Sequence, residues 1–242
     1  MNNTNNIIKS LSGWLGTCLS LFFFLSPFVL FKQLHKDKII PNKIPFFMLI
    51  CNYMNCLLWL CYSLRLKDAA QMFICNSIGG LITLCFIAYF YWRISNRAFL
   101  KFLGYVAISL SIIIIIVYIC NIIIKNYELI GYVAMVFNVL LYAAPGQNII
   151  TICKSGDYTL LPILSNIIGV FCSLVWSCYG LLLGKISVIV PNIIGVGFSV
   201  IQIIVWIVFR YELCGKKNKH YHQEVEMQAG NEDKKVEVNS SK

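Results

Sequence analysis

Residues 144–195 read APGQNIITICKSGDYTLLPILSNIIGVFCSLVWSCYGLLLGKISVIVPNIIG, and residues 26–79 read SPFVLFKQLHKDKIIPNKIPFFMLICNYMNCLLWLCYSLRLKDAAQMFICNSIG. The earlier stretch repeats the later one in outline. Six landmarks recur in one order at offsets of 116 to 118 residues: Pro27 with Pro145, Pro45 with Pro162, Trp59 with Trp176, Tyr62 with Tyr179, Asn76 with Asn192, and Gly79 with Gly195. So little drift over so many landmarks indicates a duplicated unit.

The composition is typical of a membrane protein. Hydrophobic residues make up 59% of the chain and charged residues 12%, against about 45–50% and about 25% in soluble domains. The apolar residues form runs that match the length of about 20 residues that a membrane helix needs, and they do not alternate as barrel strands do. We predict an all-α membrane protein with seven transmembrane spans: 11–31, 44–63, 70–92, 102–124, 129–152, 160–183 and 186–209.

The repeat divides these spans into two parallel three-helix bundles, residues 1–93 and residues 128–210. Two three-helix units that point the same way need an odd span between them. Residues 94–127, with the span 102–124 rich in Ile and Val, are therefore predicted to be a linker helix. Residues 211–242 are polar and mixed in charge, which is typical of a disordered cytosolic tail.

The formal net charge of +10 indicates membrane topology and not nucleic-acid binding. Basic residues cluster after the first, third, fifth and seventh spans, and few lie on the opposite side. The positive-inside rule then places the N-terminus outside and the C-terminus in the cytosol. We expect a multi-pass protein of the plasma membrane, with the Golgi or another endomembrane left open. The sequence also leaves both a monomer and a homo-oligomer open.

No Asp, Glu, Lys, Arg or His occurs inside any predicted span. Ion-coupled carriers usually hold ionisable groups at membrane depth, and intramembrane proteases need a metal, carboxylate or histidine constellation. Most of the eleven cysteines lie within the spans and no C-x-x-C occurs, so buried apolar thiols are favoured over disulfides or metal ligands. The sequence therefore argues against an enzyme, a metal site, a cofactor and ion coupling. A transported solute is expected to be neutral and to move passively.

Amide and aromatic side chains are the candidate binding groups. Asn76 and Asn192 occupy equivalent positions, so a two-fold arrangement would point both at the central axis. A carboxamide offers two donors and two acceptor lone pairs, which suits the hydroxyls of a sugar, and the faces of Trp59 and Trp176 suit the apolar face of a pyranose. A single Asn or Trp more often bonds between helices or fills a core, but their duplication favours binding. The matched prolines are predicted to be hinges.

With these motifs the chain resembles the SWEET family of eukaryotic sugar transporters, over nearly its whole length except the tail. The motifs are FLSP at 24–27, AAP at 143–145, WLCY at 59–62, WSCYG at 176–180, NSIG at 76–79 and PNIIG at 191–195. The resemblance implies two three-helix bundles joined by the fourth helix, with the third helix of each bundle between the first two. It also implies facilitated, bidirectional diffusion of mono- or disaccharides by alternating access.

The resemblance assigns further roles to single residues. It implies that the pocket is lined by Asn76, Asn192, Trp59, Trp176, Asn55, Cys172, Ser20, Phe23, Asn138 and Leu141. It implies a proline tetrad near the cytosolic gate, Pro27, Pro45, Pro145 and Pro162, and an extracellular gate with Tyr62 and Tyr179. The chain departs from the family at Lys185, where an acidic residue is common, and at Pro45, which many members place about one turn closer to the tyrosine.

The size of the pocket side chains and the absence of charge in the spans bear on the substrate and the function class. Phe23 and Leu141 are bulky for pocket positions of the family, which favours a hexose over sucrose. The alternative function is a cargo or trafficking receptor with a related PQ-loop-like fold, but a peptide receptor should present charged groups within the bundle. A seven-span signalling receptor is hard to reconcile with a duplicated three-helix unit. Sugar transport is therefore the favoured function.

Overall fold

The computed structural model describes residues 3–26, 28, 32, 46–94, 96–143, 149–150, 152–153 and 163–211. These ranges hold seven long helices and no strand, which confirms the all-α class. The helices are α1 (Asn3–Leu25), α2 (Phe46–Ser63), α3 (Ala70–Ile94), α4 (Asn96–Tyr118), α5 (Glu128–Ala143), α6 (Ile163–Leu183) and α7 (Ile186–Tyr211). A π-helical turn, Ile119–Ile123, continues α4 toward α5.

Five of the described helices are long and apolar enough to cross a membrane, namely α1, α3, α4, α6 and α7. The described parts of α2 and α5 hold shorter apolar stretches, Met48–Ser63 and Glu128–Tyr142. The predicted second and fifth spans, 44–63 and 129–152, extend into residues outside the described ranges. Their full lengths therefore stay predictions.

Helix α1 begins earlier than the predicted first span, which starts at residue 11, because its polar N-terminal residues are helical from Asn3 onward. Lys9 is buried, and its ammonium lies 3.5 Å from the carboxylate of Asp68 in the loop between α2 and α3. Backbone hydrogen bonds of a helix need no apolar side chains. Hydropathy therefore located the apolar part of α1 and missed its first two turns.

Glycines let the first helix of each repeat approach a tyrosine of the other repeat. A Cβ atom added to Gly13 on α1 would lie 2.8 Å from a ring carbon of Tyr179 on α6. A Cβ atom added to Gly131 on α5 would lie 2.7 Å from the ring of Tyr62 on α2. Gly131 stands 118 positions after Gly13, and Tyr179 stands 117 after Tyr62. The two contacts are thus copies of each other, and small residues permit both close approaches.

A second pair of copies joins the first and third helices within each repeat. A Cβ atom on Gly79 of α3 would overlap the ring of Phe24 on α1, and one on Gly195 of α7 would lie 2.7 Å from the ring of Tyr142 on α5. Tyr142 stands 118 positions after Phe24. The duplication seen in the sequence is therefore repeated in the packing of the helices.

The core lies where α2, α5 and α6 meet. Leu58 and Tyr62 from α2, Ile130 and Ala134 from α5, and Tyr179 from α6 are all fully buried in one cluster. In a bilayer such contacts stabilise by close van der Waals packing, because lipid tails are as apolar as the side chains. The gate tyrosines implied by the family resemblance are thus central to the packing.

The chain falls into two compact units. One comprises residues 1–145 with 164–200, and it contains all the contacts described above. The other comprises residues 146–163 with 201–242, and within it the Arg210 guanidinium lies 4.6 Å from the ring centroid of Trp206. The division into bundles 1–93 and 128–210 with a linker at 94–127 stays a prediction. The predicted tail begins at Tyr211, where α7 ends, and residues 212–242 lie outside the described ranges.

Candidate functional site

Helical spacing places three predicted site residues on one face of α2 and their equivalents on one face of α6. Intervals of four and three residues separate Asn55, Trp59 and Tyr62, and the same intervals separate Cys172, Trp176 and Tyr179. Residues three or four apart in a helix lie above one another on a single face. All six are buried, with at most 9% of each side chain exposed. Each face thus leads from a small polar residue through an indole to a phenol.

The small polar residues of these faces meet the first helix of the other repeat. Ser20 Oγ on α1 lies 3.5 Å from Cys172 Sγ on α6. Asn55 on α2 donates from Nδ2 to Oδ1 of Asn138 on α5, at 3.2 Å. Asn138 stands 118 positions after Ser20, and Cys172 stands 117 after Asn55. The structure therefore brings these four predicted pocket residues together as two equivalent pairs.

One of these residues retains unused hydrogen-bonding capacity. Oδ1 of Asn55 is buried and has no hydrogen-bond partner among the described residues. A buried polar atom without a partner costs free energy, and such an atom in a native fold calls for an explanation such as a bound ligand or water. An acceptor at this place is suited to a hydroxyl donor.

The tryptophans occupy equivalent but not identical environments. Trp59 contacts Tyr62 edge to face with ring centroids 6.0 Å apart, and Trp176 contacts Tyr179 in the same manner at 5.2 Å. Trp176 also donates from Nε1 to the hydroxyl of Ser20 at 3.0 Å. Its indole is thus fixed by a hydrogen bond across the repeats, next to Cys172.

The paired asparagines have the same local geometry. Nδ2 of Asn76 donates to the carbonyl of Met72 at 2.8 Å, and Nδ2 of Asn192 donates to the carbonyl of Val188 at 2.7 Å. Each bond joins a side chain to the preceding helical turn and leaves a carboxamide oxygen and one N–H for other partners. Asn192 is buried and Asn76 is half-buried. That the two face each other across a cavity stays a prediction.

The remaining predicted residues divide between described and undescribed parts of the chain. Phe23 and Leu141 are half-buried, and Phe23 packs against the central core. The four predicted hinges lie outside the described residues: Pro27, Pro45, Pro145 and Pro162. Helix α1 ends at Leu25, and the amide of Ser26 donates back to the carbonyl of Phe23 at 3.1 Å.

One of the two predicted gate tyrosines, Tyr62 on α2, contacts a carboxylate at the N-terminus of α5 that was not predicted from the sequence. The Tyr62 hydroxyl donates to Oε2 of Glu128 at 2.5 Å and accepts from the hydroxyl of Ser187 at 3.2 Å. Oε1 of Glu128 forms an ion pair with Lys185. Glu128 stands one residue before the predicted fifth span. An acidic residue directly beside an apolar run was the feature of the sequence that could have identified it as a site residue. The family's acidic position is basic here, and the acid comes from α5.

The equivalent tyrosine, Tyr179, makes different contacts. Its hydroxyl is buried near the backbone of Met72 and forms no hydrogen bond with a side chain among the described residues. Gln71, whose side-chain carbons lie near Gly13 beside Tyr179, donates from Nε2 to the hydroxyl of Ser10 at 3.2 Å. The two predicted gate tyrosines therefore differ in their hydrogen bonding.

Metal and disulfide chemistry find no support in the described part of the chain. No group of three or more His, Cys, Asp or Glu side chains is positioned there to hold a metal ion. The ten cysteines within the described ranges are all free thiols. The site is thus built from amides, hydroxyls, thiols and aromatic rings.

Comparison with known proteins gives consistent matches. A family model described as sugar efflux transporter for intercellular exchange matches residues 10–98 and 128–213, one match for each repeat. The bidirectional sugar transporter SWEET11 of Arabidopsis thaliana is 27% identical over 223 residues, covering 86% of this chain and 73% of that protein. SWEET8 of the same plant is 25% identical over 234 residues, covering 92% of this chain and 96% of that protein.

A solved structure gives the fold. The 3.7 Å structure of a eukaryotic SWEET transporter matches with a TM-score of 0.78 at 20% sequence identity. The match covers 86% of this chain and 100% of the solved chain. This likeness confirms the predicted fold class, an all-α, SWEET-like arrangement of seven helices.

Proposed function

The chain belongs to the family of sugar efflux transporters for intercellular exchange, and from this membership we propose that it is a facilitative, bidirectional sugar transporter. The relatives SWEET10, SWEET11 and SWEET8 are each named as bidirectional sugar transporters. Several helices that are long and apolar enough to cross a membrane make it an integral membrane protein, and the family is one of transporters and not of enzymes. Transport by alternating access fits a duplicated bundle, because each half can bend relative to a shared central site.

The two cross-repeat pairs are the observation that supports a central binding site most directly. Ser20 with Cys172 and Asn55 with Asn138 join the first helix of one repeat to the second helix of the other. Small polar groups held between two copies of a unit can be rearranged when the copies move relative to each other. The free acceptor of Asn55 and the carboxamides of Asn76 and Asn192 offer hydrogen bonds to sugar hydroxyls.

A neutral solute that moves without ion coupling is supported by the charge distribution. The predicted spans contain no Asp, Glu, Lys, Arg or His. A coupling ion at membrane depth normally needs such groups. The transporter is therefore a uniporter, driven by the sugar gradient alone.

A hexose is the proposed substrate. Phe23 packs half-buried against the core, and Leu141 is half-buried at the position 118 residues later. Two bulky side chains at equivalent positions narrow the space on both sides of the two-fold axis. A monosaccharide fits such a pocket better than a disaccharide.

The proposed orientation places the N-terminus outside and the C-terminus in the cytosol of a plasma-membrane protein. Basic residues concentrate after the odd-numbered predicted spans, as the positive-inside rule requires for this topology. With this orientation Tyr62 and Tyr179 lie toward the extracellular side and the four prolines toward the cytosol.

The oligomeric state is a separate question. Light scattering of the purified protein in detergent would separate a monomer from a homo-oligomer.

Uptake of radiolabelled glucose by a hexose-transport-deficient host tests the function and the site together. Asn76→Ala and Asn192→Ala should each reduce uptake by roughly fivefold, because one lost hydrogen bond costs about 1 kcal/mol. Asn121→Ala is the matched control. Nδ2 of Asn121 makes the same bond to the preceding turn, to Val117 at 2.7 Å, but it lies in the π-helical turn outside both repeats.

Three outcomes are informative. Uptake by the wild type and the control, with reduced uptake by the two site variants, supports both the function and the site. Undiminished uptake by both variants removes the proposed site and leaves the function. Absence of uptake by the expressed wild type for every hexose and for sucrose contradicts the function.

A further inference from the structure

Each repeat carries an ion pair at the same end of the molecule, but the signs of the charges are exchanged. In the first repeat Lys9 on α1 pairs with Asp68 in the loop after α2, at 3.5 Å. In the second repeat Glu128 on α5 pairs with Lys185 in the loop after α6. Lys185 stands 117 positions after Asp68. The same corner of the repeat therefore holds an acid in one copy and a base in the other.

The two pairs differ in burial. In the first pair the Lys9 side chain is 9% exposed but that of Asp68 is 78% exposed, whereas in the second pair Glu128 and Lys185 are 30% and 23% exposed. A pair with an exposed carboxylate contributes little, because water and salt screen that charge. A half-buried pair with further hydrogen bonds is stronger and depends more on its geometry.

Among the described residues, only the second pair forms a hydrogen bond with a gate tyrosine. Glu128 accepts hydrogen bonds from Lys185 and from the Tyr62 hydroxyl, which in turn accepts from Ser187. These four residues come from α2, the start of α5, the loop after α6 and the start of α7. In the first repeat the position equivalent to Glu128 is Ser10, 118 residues earlier, and no charged side chain among the described residues forms a hydrogen bond with the Tyr179 hydroxyl.

The start of α5 is also shaped to hold an anion. The amide of Glu128 donates to the side-chain oxygen of Asn126 at 3.1 Å, so the carboxylate sits in the first turn of α5, where the helix dipole favours negative charge. Lys185 lies 5.8 Å from the ring centroid of Tyr127, which restrains the ammonium on a second side. Among the described residues, Lys185 and Tyr62 are the titratable groups that contact this carboxylate, and Tyr127 lies beside Lys185.

We propose that Glu128 is the latch of the extracellular gate, with Lys185 as its positioning residue, and that this latch fastens only one of the two gate tyrosines. The assignment of these contacts to a gate rests on the proposed function. The contacts themselves join α2 of the first repeat to residues of the second repeat. The latch must break when α2 separates from α5 and α7. The opposite tyrosine, Tyr179, has no hydrogen-bonded carboxylate among the described residues, so it can separate without breaking an ion pair.

The latch is expected to be insensitive to physiological changes of pH. Burial alone would raise the pKa of Glu128, but hydrogen bonds from Lys185 and Tyr62 outweigh it and hold the pKa below its ordinary value of 4.5. Glu128 precedes the predicted fifth span, so this carboxylate lies at the membrane surface. The carboxylate therefore stays ionised above pH 4.5, and only a substitution breaks the ion pair in the physiological pH range.

Hydrogen–deuterium exchange of the full-length protein, purified in detergent without sugar, tests the latch. The amides of Lys185 and Val188 are the reporters, because they donate to the carbonyls of Gly180 and Lys185 at 3.0 Å each. Glu128→Gln should accelerate exchange over residues 183–189 roughly tenfold, since a charged hydrogen bond typically exceeds a neutral one by more than 1 kcal/mol. Asp68→Asn breaks only the ion pair of the first repeat, whose carboxylate is exposed, and should change the exchange over residues 183–189 by less than about twofold.

Two further variants guard against a general loss of folding. Tyr62→Phe removes one hydroxyl and should accelerate the same segment, while exchange in residues 103–118 of α4 stays at the wild-type rate. The exchange of charges, Glu128→Lys with Lys185→Glu, should restore slow exchange relative to either single change. Equal exchange in Glu128→Gln and wild type, or equal acceleration by Asp68→Asn, would overturn the proposal.

The latch and the transport function fail separately. The exchange measurement needs no sugar, so accelerated exchange in Glu128→Gln supports the latch even when glucose uptake by the wild type is absent. Normal uptake by the wild type together with unchanged exchange in Glu128→Gln rejects the latch and retains the transporter.

Discussion

Adding one methyl group at Gly131 tests whether the close approach of α5 to Tyr62 is as tight as the structure indicates. The Cβ atom of Gly131→Ala would lie 2.7 Å from Cζ of Tyr62 and 2.9 Å from the hydroxyl of Ser187. Cζ bears the hydroxyl that Glu128 and Ser187 hold, so the ring cannot retreat without straining those bonds. Tyr62 is fully buried in the core cluster, so a displaced ring would press against neighbouring side chains.

The magnitude follows from two opposing effects. An extra methyl group in a well-packed core costs about 1–3 kcal/mol, and the loss of both hydrogen bonds to the displaced ring places this site near 2 kcal/mol or above. Replacing Gly by Ala within a helix returns up to about 1 kcal/mol. Gly104→Ala is the matched control, because its Cβ atom would meet nothing within 4 Å. The difference between the two variants isolates the cost of the overlap at Tyr62.

Thermal unfolding followed by tryptophan fluorescence in detergent is the assay. Gly131→Ala should unfold at a lower temperature than wild type, and Gly104→Ala at the same or a higher temperature. The overlap should also favour conformations in which α2 and α5 have separated. Equal unfolding temperatures for the two variants would refute the tight contact, and with it the role of Tyr62 as a residue packed between the repeats.

Two further predictions concern the site and its pH dependence. Trp176→Phe and Ser20→Ala should each raise the glucose concentration for half-maximal uptake by roughly fivefold, because each removes the hydrogen bond from the Trp176 indole to the Ser20 hydroxyl at 3.0 Å. The double variant should be no worse than either single variant, since both changes remove the same bond. Additive effects would exclude a functional bond. Because the pKa of Glu128 is lowered in the folded state, its stabilising effect is present above pH 4.5 and is lost as the pH falls through the folded-state pKa. The unfolding temperature of wild type should therefore fall more steeply below pH 4.5 than that of Glu128→Gln, and parallel curves would contradict this.

The sequence predicted the fold because duplication leaves a signal that survives divergence. Landmarks spaced by 116 to 118 residues identified the repeat, and the same spacing relates Gly13 to Gly131 and Ser20 to Asn138 in the structure. Apolar runs located the seven helices, although α1 starts at Asn3 because a helix extends into polar residues that have partners, such as Lys9.

Partners across the helix bundle could not be predicted in the same way. A single sequence shows that Asn55 lies on one face of α2, but not that its amide reaches Asn138. The carboxylate at Tyr62 was missed for the same reason. The family resemblance places an acid after α6, where this chain has Lys185, and the carboxylate that Tyr62 contacts comes from Glu128 at the start of α5, which is distant in sequence from both residues.

Passive sugar movement is the central claim, and one measurement tests it most directly. Purified protein is placed in liposomes without any ion gradient, and the entry of radiolabelled glucose is followed to completion. The internal concentration should rise to the external concentration and stop there, with no change when proton or sodium ionophores are added. Accumulation above the external concentration, dependence on an ion gradient, or entry no faster than into empty liposomes would contradict the account.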